Sequence, residues 1–174
     1  RPVATAMEGQ DTHRRIQATW PAGTDKEVSL QWQFKQADFS LRLSGRIDGL
    51  QVQSDEVSFL EIKTLRHPPD ALPAAMKMRH RLQVLLYAHL WQLQNKEQMP
   101  ERCIVSLVYV DTLEQKTSKQ SETFSSLELN MVTKPLVKSL MAWFADLRAH
   151  RQQCGRILRD MTFPFPFRDG QRAF

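Results

Sequence analysis

Two acidic residues and a lysine lie where neighbouring β-strands could bring them together. Gly45-Arg46-Ile47-Asp48-Gly49 and Glu61-Ile62-Lys63 both fall in segments with the alternation of strands. Because side chains alternate across a strand, Glu61 and Lys63 should share one face while Ile62 points into the core. Asp48 on the adjacent strand could meet them. Two carboxylates with nearby backbone carbonyl oxygens suit a hard cation such as Mg²⁺ or Mn²⁺.

Such a cation next to a lysine suits the hydrolysis of a phosphodiester. The cation can activate water, neutralise charge on the phosphoryl oxygens and assist the leaving oxygen. Lys63 can orient or deprotonate the attacking water if its pKa is lowered, and otherwise adds positive charge. Glu-x-Lys alone is common by chance, and a solvated strand face is its simpler interpretation.

Polar residues on either side of this segment make the pattern more specific. His13 follows Glu8-Gly9 within one predicted helix, five residues after Glu8, so the two side chains could approach one site only obliquely. His13 is the preferred ligand, since an imidazole beside carboxylates tolerates Mn²⁺ well. The alternative is an ordinary surface histidine.

A second polar pair lies downstream, on the amphipathic helix predicted over 74–96. Gln83 and Tyr87 are four residues apart and therefore share a helix face. The glutamine could bond to a backbone group or a base edge, and the tyrosine offers a hydroxyl and a ring for stacking. A helix-capping or core-edge pair is the structural alternative.

The same helix carries an excess of positive charge. The chain has 24 Lys and Arg against 19 Asp and Glu, a net charge of +5, with a local excess of basic residues between Ile62 and Arg102. Lys77, Arg79 and Arg81 on the helix are predicted to contact a polyanion, and a solvated basic face is the alternative.

Periodicity predicts a small α/β domain with a mixed central sheet flanked by helices. The predicted elements are a helix over 6–19, strands over 28–34, 39–52 and 57–65, a helix over 74–96, a strand over 103–110 and a helix over 127–153. The first three strands should form an antiparallel meander. Residues 117–124 are polar and predict a hairpin arm or a loop.

Composition excludes several other classes of protein. Hydrophobic residues make up 41% and charged residues 25%, as in folded globular domains, and no apolar stretch is long enough to span a bilayer. No signal peptide is recognisable, so a cytoplasmic protein is expected. Cys103 and Cys154 are too few for an iron-sulfur cluster or a structural zinc site and are predicted to be buried thiols.

Taken in order, the motifs resemble the RecB-type branch of the PD-(D/E)xK nucleases, with its QxxxY motif. The resemblance implies a restriction-endonuclease-like core and a Mg²⁺ or Mn²⁺ cofactor. It implies metal ligation by His13, Asp48 and Glu61, catalysis by Lys63, and support of the active-site face and substrate by Gln83 and Tyr87. Some members of the branch carry four cysteines for an iron-sulfur cluster, which this chain lacks.

The C-terminus carries a second resemblance. Phe163-Pro164-Phe165-Pro166-Phe167-Arg168-Asp169-Gly170-Gln171 looks like the entry to an XPD/DinG-like superfamily 2 helicase, although the chain has no phosphate-binding loop. A nuclease domain is therefore predicted over residues 1–160, with a linker and the start of a helicase domain over 161–174. An unstructured proline-rich tail is the alternative.

Together these features predict a divalent-metal-dependent deoxyribonuclease that serves DNA repair or processing. Its expected partners are DNA with single-stranded character and the helicase domain of the same parent chain, with no membrane. One alternative is a catalytically weak DNA-binding module that serves the helicase. A scaffold domain without metal or DNA affinity is another.

Overall fold

The computed structural model describes residues 6–36, 38–96 and 100–160, without the side chains of 6–8 and 158–160. The elements in chain order are α1 (Ala6–Gln17), β1 (Thr24–Lys35), β2 (Ser40–Val52), β3 (Glu56–Leu65), a 3-10 turn (Pro69–Ala71), α2 (Ala74–Gln94), β4 (Arg102–Asp111), β5 (Lys116–Ser125) and α3 (Ser126–Asp160). The chain divides into two compact units, Arg1–Pro135 and Leu136–Phe174. The sheet, α1, α2 and the start of α3 belong to the first.

The sheet has five strands in the order β1-β2-β3-β4-β5. The β1–β2, β2–β3 and β4–β5 pairs are antiparallel, whereas β3 and β4 run parallel on either side of the α2 crossover. The predicted mixed sheet and the meander of its first three strands are confirmed. Residues 117–124, predicted as a hairpin arm or a loop, form most of β5.

Hydrophobic side chains cover both faces of the sheet, as the alternation in β3 requires. Phe59 packs with α2 residues and with Leu129 of α3 in one cluster. Ile62 belongs to a smaller cluster with Leu60, against which Ile16 of α1 packs. The predicted inward direction of Ile62 is therefore confirmed, on the face that α1 covers.

The buried stripe of α2 differs in part from the predicted one. The spacing of five leucines predicts the buried stripe (Leu82, Leu85, Leu86, Leu90 and Leu93). Leu85 and Leu90 are buried, whereas the other three are only partly buried. The prediction is therefore confirmed in part, and Val84 and Ala88 are buried beside Leu85.

The sheet opens at one point between β2 and β3. Their antiparallel pairing runs from Val52↔Val57 to Gly49↔Leu60 and stops there, so Asp48 and Glu61 are the first residues beyond it. On the other side of β2, the β1 ladder omits the pair between Glu27 and Asp48. Glu27 has a φ of 55°, which is rare for a residue with a side chain. Irregular pairing of this kind redirects side chains, and it often lies beside active sites.

Gly45 lets α2 approach β2 closely. A Cβ atom at this position would collide with the ring of Tyr87, whose Cζ and hydroxyl oxygen would both lie 3.1 Å away. Glycine is required here because of this approach rather than because of its backbone angles. Tyr87 therefore lies directly on the backbone of β2.

The two cysteines differ in their burial. Cys103 is buried in β4 as predicted, whereas Cys154 in α3 is only partly buried, so that prediction is wrong. Among the described residues, no helix is long and apolar enough to cross a membrane. The segment 161–174 lies outside the described residues.

Gly45→Ala should lower the free energy of unfolding by about 1–3 kcal/mol, because the new methyl group overpacks the contact with Tyr87. Urea denaturation measures the change. Gly155→Ala in α3 is the matched control, since no atom other than its chain neighbours and the backbone of its own helix lies within 4 Å of its Cβ position. There the substitution should stabilise the helix by about 0.8–1 kcal/mol. Equal effects of the two substitutions would contradict the close approach of Tyr87 to β2.

Candidate active site

Asp48 is the residue around which the polar cluster is built. It is only 7% exposed, and its Oδ2 accepts a hydrogen bond of 2.7 Å from the backbone N–H of Ile62. This N–H has no partner in β2, because the two strands have already separated. The carboxylate therefore replaces a backbone carbonyl in the ladder, which satisfies a buried donor and fixes the side chain.

His13 approaches Asp48 from α1. Its Nδ1 lies 3.1 Å from Asp48 Oδ1, across one side of a cleft of about 680 Å³. The hydrogen bond to Asp48 raises the pKa of His13 in spite of burial, and the charges of Asp48, Glu61 and Glu27 act in the same direction. A cation at this position would replace the proton that the two side chains share.

Glu61 is the most deeply buried acid of the cluster, with 4% exposure. Its Oε1 accepts hydrogen bonds from Lys63 Nζ at 2.8 Å and from Gln83 Nε2 at 2.9 Å. Its Oε2 is buried and has no hydrogen-bond partner among the described residues. Burial raises the pKa of Glu61, with the Asp48 charge acting the same way, while Lys63 opposes both.

Lys63, Gln83 and Tyr87 form a chain of hydrogen bonds from this acid to β2. Lys63 Nζ donates to Gln83 Oε1 at 2.8 Å, and Gln83 Nε2 donates to the Tyr87 hydroxyl at 3.0 Å. Burial raises the pKa of Tyr87, and a hydrogen bond with the backbone of Arg46 opposes the shift. The side chains of Gln83 and Tyr87 are thus engaged in internal contacts beside Lys63.

Two residues that the sequence reasoning did not select complete the cluster. Glu27 of β1 lies opposite Asp48, and its Oε1 accepts a bond of 2.8 Å from Gln17 Nε2. Gln17 also donates to the backbone oxygen of Asp48, at 3.1 Å. Its position four residues after His13 on α1 was a usable signal, because i and i+4 share a helix face. No spacing in the sequence pointed to Glu27.

These side chains have the chemistry of a divalent cation site. His13, Glu27 and Asp48 each offer a ligand atom, and the three atoms lie within 4.8 Å of one another. Glu61 is not among these three residues, although its Oε2 is buried and has no hydrogen-bond partner among the described residues. Carboxylate oxygens suit Mg²⁺ and Mn²⁺, and an imidazole nitrogen among them favours Mn²⁺. The residues present therefore fit a metal ion.

The predicted DNA contacts lie elsewhere on α2 and do not join this cluster. Arg79 is exposed. Lys77 Nζ lies 4.0 Å from Asp70 at the surface. Arg81 is held by Glu122 of β5 through hydrogen bonds of 2.6 and 2.7 Å, so its guanidinium already has an anionic partner. The side chain of Glu8 lies outside the described residues.

Comparison with known proteins agrees with this arrangement. Residues 3–170 match the PD-(D/E)XK nuclease superfamily. The chain belongs to that superfamily. Its members are nucleases that use divalent metal ions, so the chain is a nuclease-family domain whose acidic cluster fits a metal site. The matched residues include 161–170, and the domain boundary at residue 160 stays a prediction.

A solved structure shows the same fold. The crystal structure of SSO0001 matches with a TM-score of 0.53 and 18% sequence identity, over 80% of this chain. This chain covers 61% of that chain, and the likeness concerns the fold alone. No curated protein matches the sequence.

Glu61→Gln should stabilise the metal-free protein at neutral pH. Burial raises the pKa of Glu61 above its ordinary value of 4.5. The stability linked to this group is therefore complete below pH 4.5 and is lost as the pH rises through the folded-state pKa. Glutamine cannot ionise, so the variant does not lose this stability as the pH rises.

Thermal unfolding in EDTA between pH 4 and 8 measures the effect. The melting temperature of the variant should exceed that of the wild type by a margin that grows with pH. A constant margin across the range would contradict the burial of an ionised Glu61. Adding Mn²⁺ should then stabilise the wild type more than the variant, because only the wild type keeps this carboxylate ligand.

Proposed function

We propose that the chain is a divalent-metal-dependent deoxyribonuclease of the RecB-type branch. The proposal rests on the hydrogen bonding of the Glu61 carboxylate. Its Oε1 is held by Lys63 and Gln83, while its buried Oε2 lacks a partner among the described residues. A buried carboxylate oxygen without a hydrogen-bond partner is costly, and a cation would satisfy it.

His13, Asp48 and Glu61 would hold the cation. When bound, it supplies positive charge to the phosphoryl oxygens and lowers the pKa of an attacking water. In the hydrolysis, the water gives up one proton as its oxygen bonds to phosphorus, the bond from phosphorus to the leaving oxygen breaks, and the leaving oxygen takes up one proton from the solvent.

Lys63 is well placed to orient the water. An ammonium group has three N–H donors. Two of them are used on Glu61 and Gln83, at 2.8 Å each, which fixes the direction of the third. That donor is available for the attacking water or a phosphoryl oxygen. The amide of Gln83 is a positioning group, because it bonds to both the lysine and the glutamate.

DNA with single-stranded character is the proposed substrate, bound along the N-terminal half of α2. The basic residues there support it, above all the exposed Arg79. Arg81 supports it less, because Glu122 neutralises its charge. With this substrate, the proposed role of the domain is in DNA repair or processing.

We also propose that the parent chain continues into a helicase. The support is the resemblance of residues 163–171, which lie outside the described residues. The parent reading frame decides the question. A frame that ends near Phe174, or that continues without a phosphate-binding loop, contradicts the helicase and leaves the nuclease intact.

Asp48→Ala, Glu61→Ala and Lys63→Ala should each abolish cleavage of end-labelled single- and double-stranded DNA in Mn²⁺. The first two remove metal ligands, and Lys63→Ala should cost about 100-fold or more in kcat. Calorimetry separates the roles, because Mn²⁺ affinity should fall in the first two variants and persist in Lys63→Ala. Asp25→Ala, at an exposed acid on β1, is the control. Cleavage at the wild-type rate by any of the three variants would show that the active site lies elsewhere.

Arg79→Glu should weaken DNA binding and flatten its dependence on salt. Each lost phosphate contact removes about 0.7–0.9 from the slope of log affinity against log salt concentration. Fluorescence anisotropy between 50 and 200 mM salt, the range in which this effect is large, measures it. Arg42→Glu, at an exposed arginine of β2, is the matched control. Identical slopes for both variants would show that DNA does not follow α2.

A further inference from the structure

We propose that Glu27 is an additional metal ligand, which β1 contributes to the centre formed by His13 and Asp48. The inference rests on the proposed function, since it concerns the same cation. It adds a carboxylate from a strand that carries none of the sequence motifs. It therefore predicts a metal site with three acids rather than two.

The positions of the ligand atoms carry the proposal. One carboxylate oxygen of Glu27 lies within 4.8 Å of ligand atoms of both His13 and Asp48. A cation that bonds to all three atoms at about 2.0–2.2 Å would draw them to within about 4.4 Å of one another. All three residues also line the same cleft.

A buried glutamine holds Glu27 in this position. Gln17 is 7% exposed, and its amide nitrogen donates to Glu27 Oε1 and to the backbone oxygen of Asp48. It thus ties the two acids together where the β1–β2 ladder omits a pair. Glu27 itself has a φ of 55°, a conformation that costs about 1–3 kcal/mol and persists only where its surroundings impose it.

The charges of the cluster also suit a cation. Arg46 pairs with Glu27 and Lys63 pairs with Glu61, whereas, in the part of the chain that the structure describes, Asp48 pairs only with His13, whose shared proton a cation would replace. Glu61 Oε2, which is buried and has no hydrogen-bond partner among the described residues, is a separate indication that the described side chains alone do not satisfy the acids.

The competing role for Glu27 is to anchor Arg46. The guanidinium Nε of Arg46 lies 2.7 Å from Glu27 Oε2, and both side chains are partly exposed, at 66% and 37%. Exposed ion pairs contribute little to stability, so this pair does not account for the strained backbone. The two roles differ in what they predict for metal affinity.

Titration calorimetry with Mn²⁺, without DNA, tests the proposal on the wild-type chain and on Glu27→Gln. The amide keeps the size and the bond to Gln17 but removes the charge, and Mn²⁺ affinity should fall by about 10-fold or more. Glu27→Gly is a second variant that suits the positive φ, and it should fold and show the same loss. Asp25→Asn, which removes an exposed charge from the same strand, should bind Mn²⁺ as the wild type does.

Arg46→Gln distinguishes the two roles of Glu27. It removes the ion pair and leaves the carboxylate in place, so Mn²⁺ affinity should stay the same or rise. Wild-type Mn²⁺ affinity in both folded Glu27 variants would overturn the inference and leave the nuclease proposal standing. No Mn²⁺ binding by the wild type would instead overturn the proposed function.

Discussion

The site depends on one hydrogen bond, which the backbone N–H of Ile62 donates to the Asp48 carboxylate at 2.7 Å. Pairing between β2 and β3 ends at Gly49↔Leu60, so this N–H would otherwise be buried without a partner. By accepting it, Asp48 lets the strands separate without the cost of an unsatisfied donor. With Oδ2 held by this bond, Oδ1 of Asp48 faces His13. The same hydrogen bond therefore stabilises the fold and positions a residue of the site.

The buried acids of the cluster are costly to keep ionised. Burial raises the pKa of Glu61, and the nearby Asp48 charge raises it further. Lys63 offsets part of this cost but contacts only one of the two oxygens of Glu61. A protein that used these acids for stability alone would gain from apolar replacements, because buried ion pairs rarely repay their desolvation. Ligation of a metal supplies a reason to keep them.

Sequence reasoning succeeded where a position follows from periodicity. Alternation in β3 correctly predicted that Glu61 and Lys63 are opposed to Ile62, and helical spacing paired Gln83 with Tyr87. It failed to find Glu27, because its nearness to Asp48 depends on strand register and on an irregular backbone, neither of which has a local sequence signal. The partner of Arg81 was hidden for a similar reason: Glu122 lies 41 residues away in a polar segment that reads equally well as a loop.

Gln83 links Lys63 and Glu61 of β3 to Tyr87 of α2, and its amide can take only one orientation. Its oxygen faces the Lys63 ammonium, which is purely a donor, and its nitrogen faces an oxygen of Glu61 and the Tyr87 hydroxyl. Reversing the amide would place N–H groups against the ammonium and an oxygen against a carboxylate. The direction of Gln83 is therefore imposed by its partners, and it in turn fixes where the lysine points. Because Tyr87 packs on Gly45 and reaches the backbone of Arg46, the orientation of the lysine is coupled to the same strand that carries Asp48.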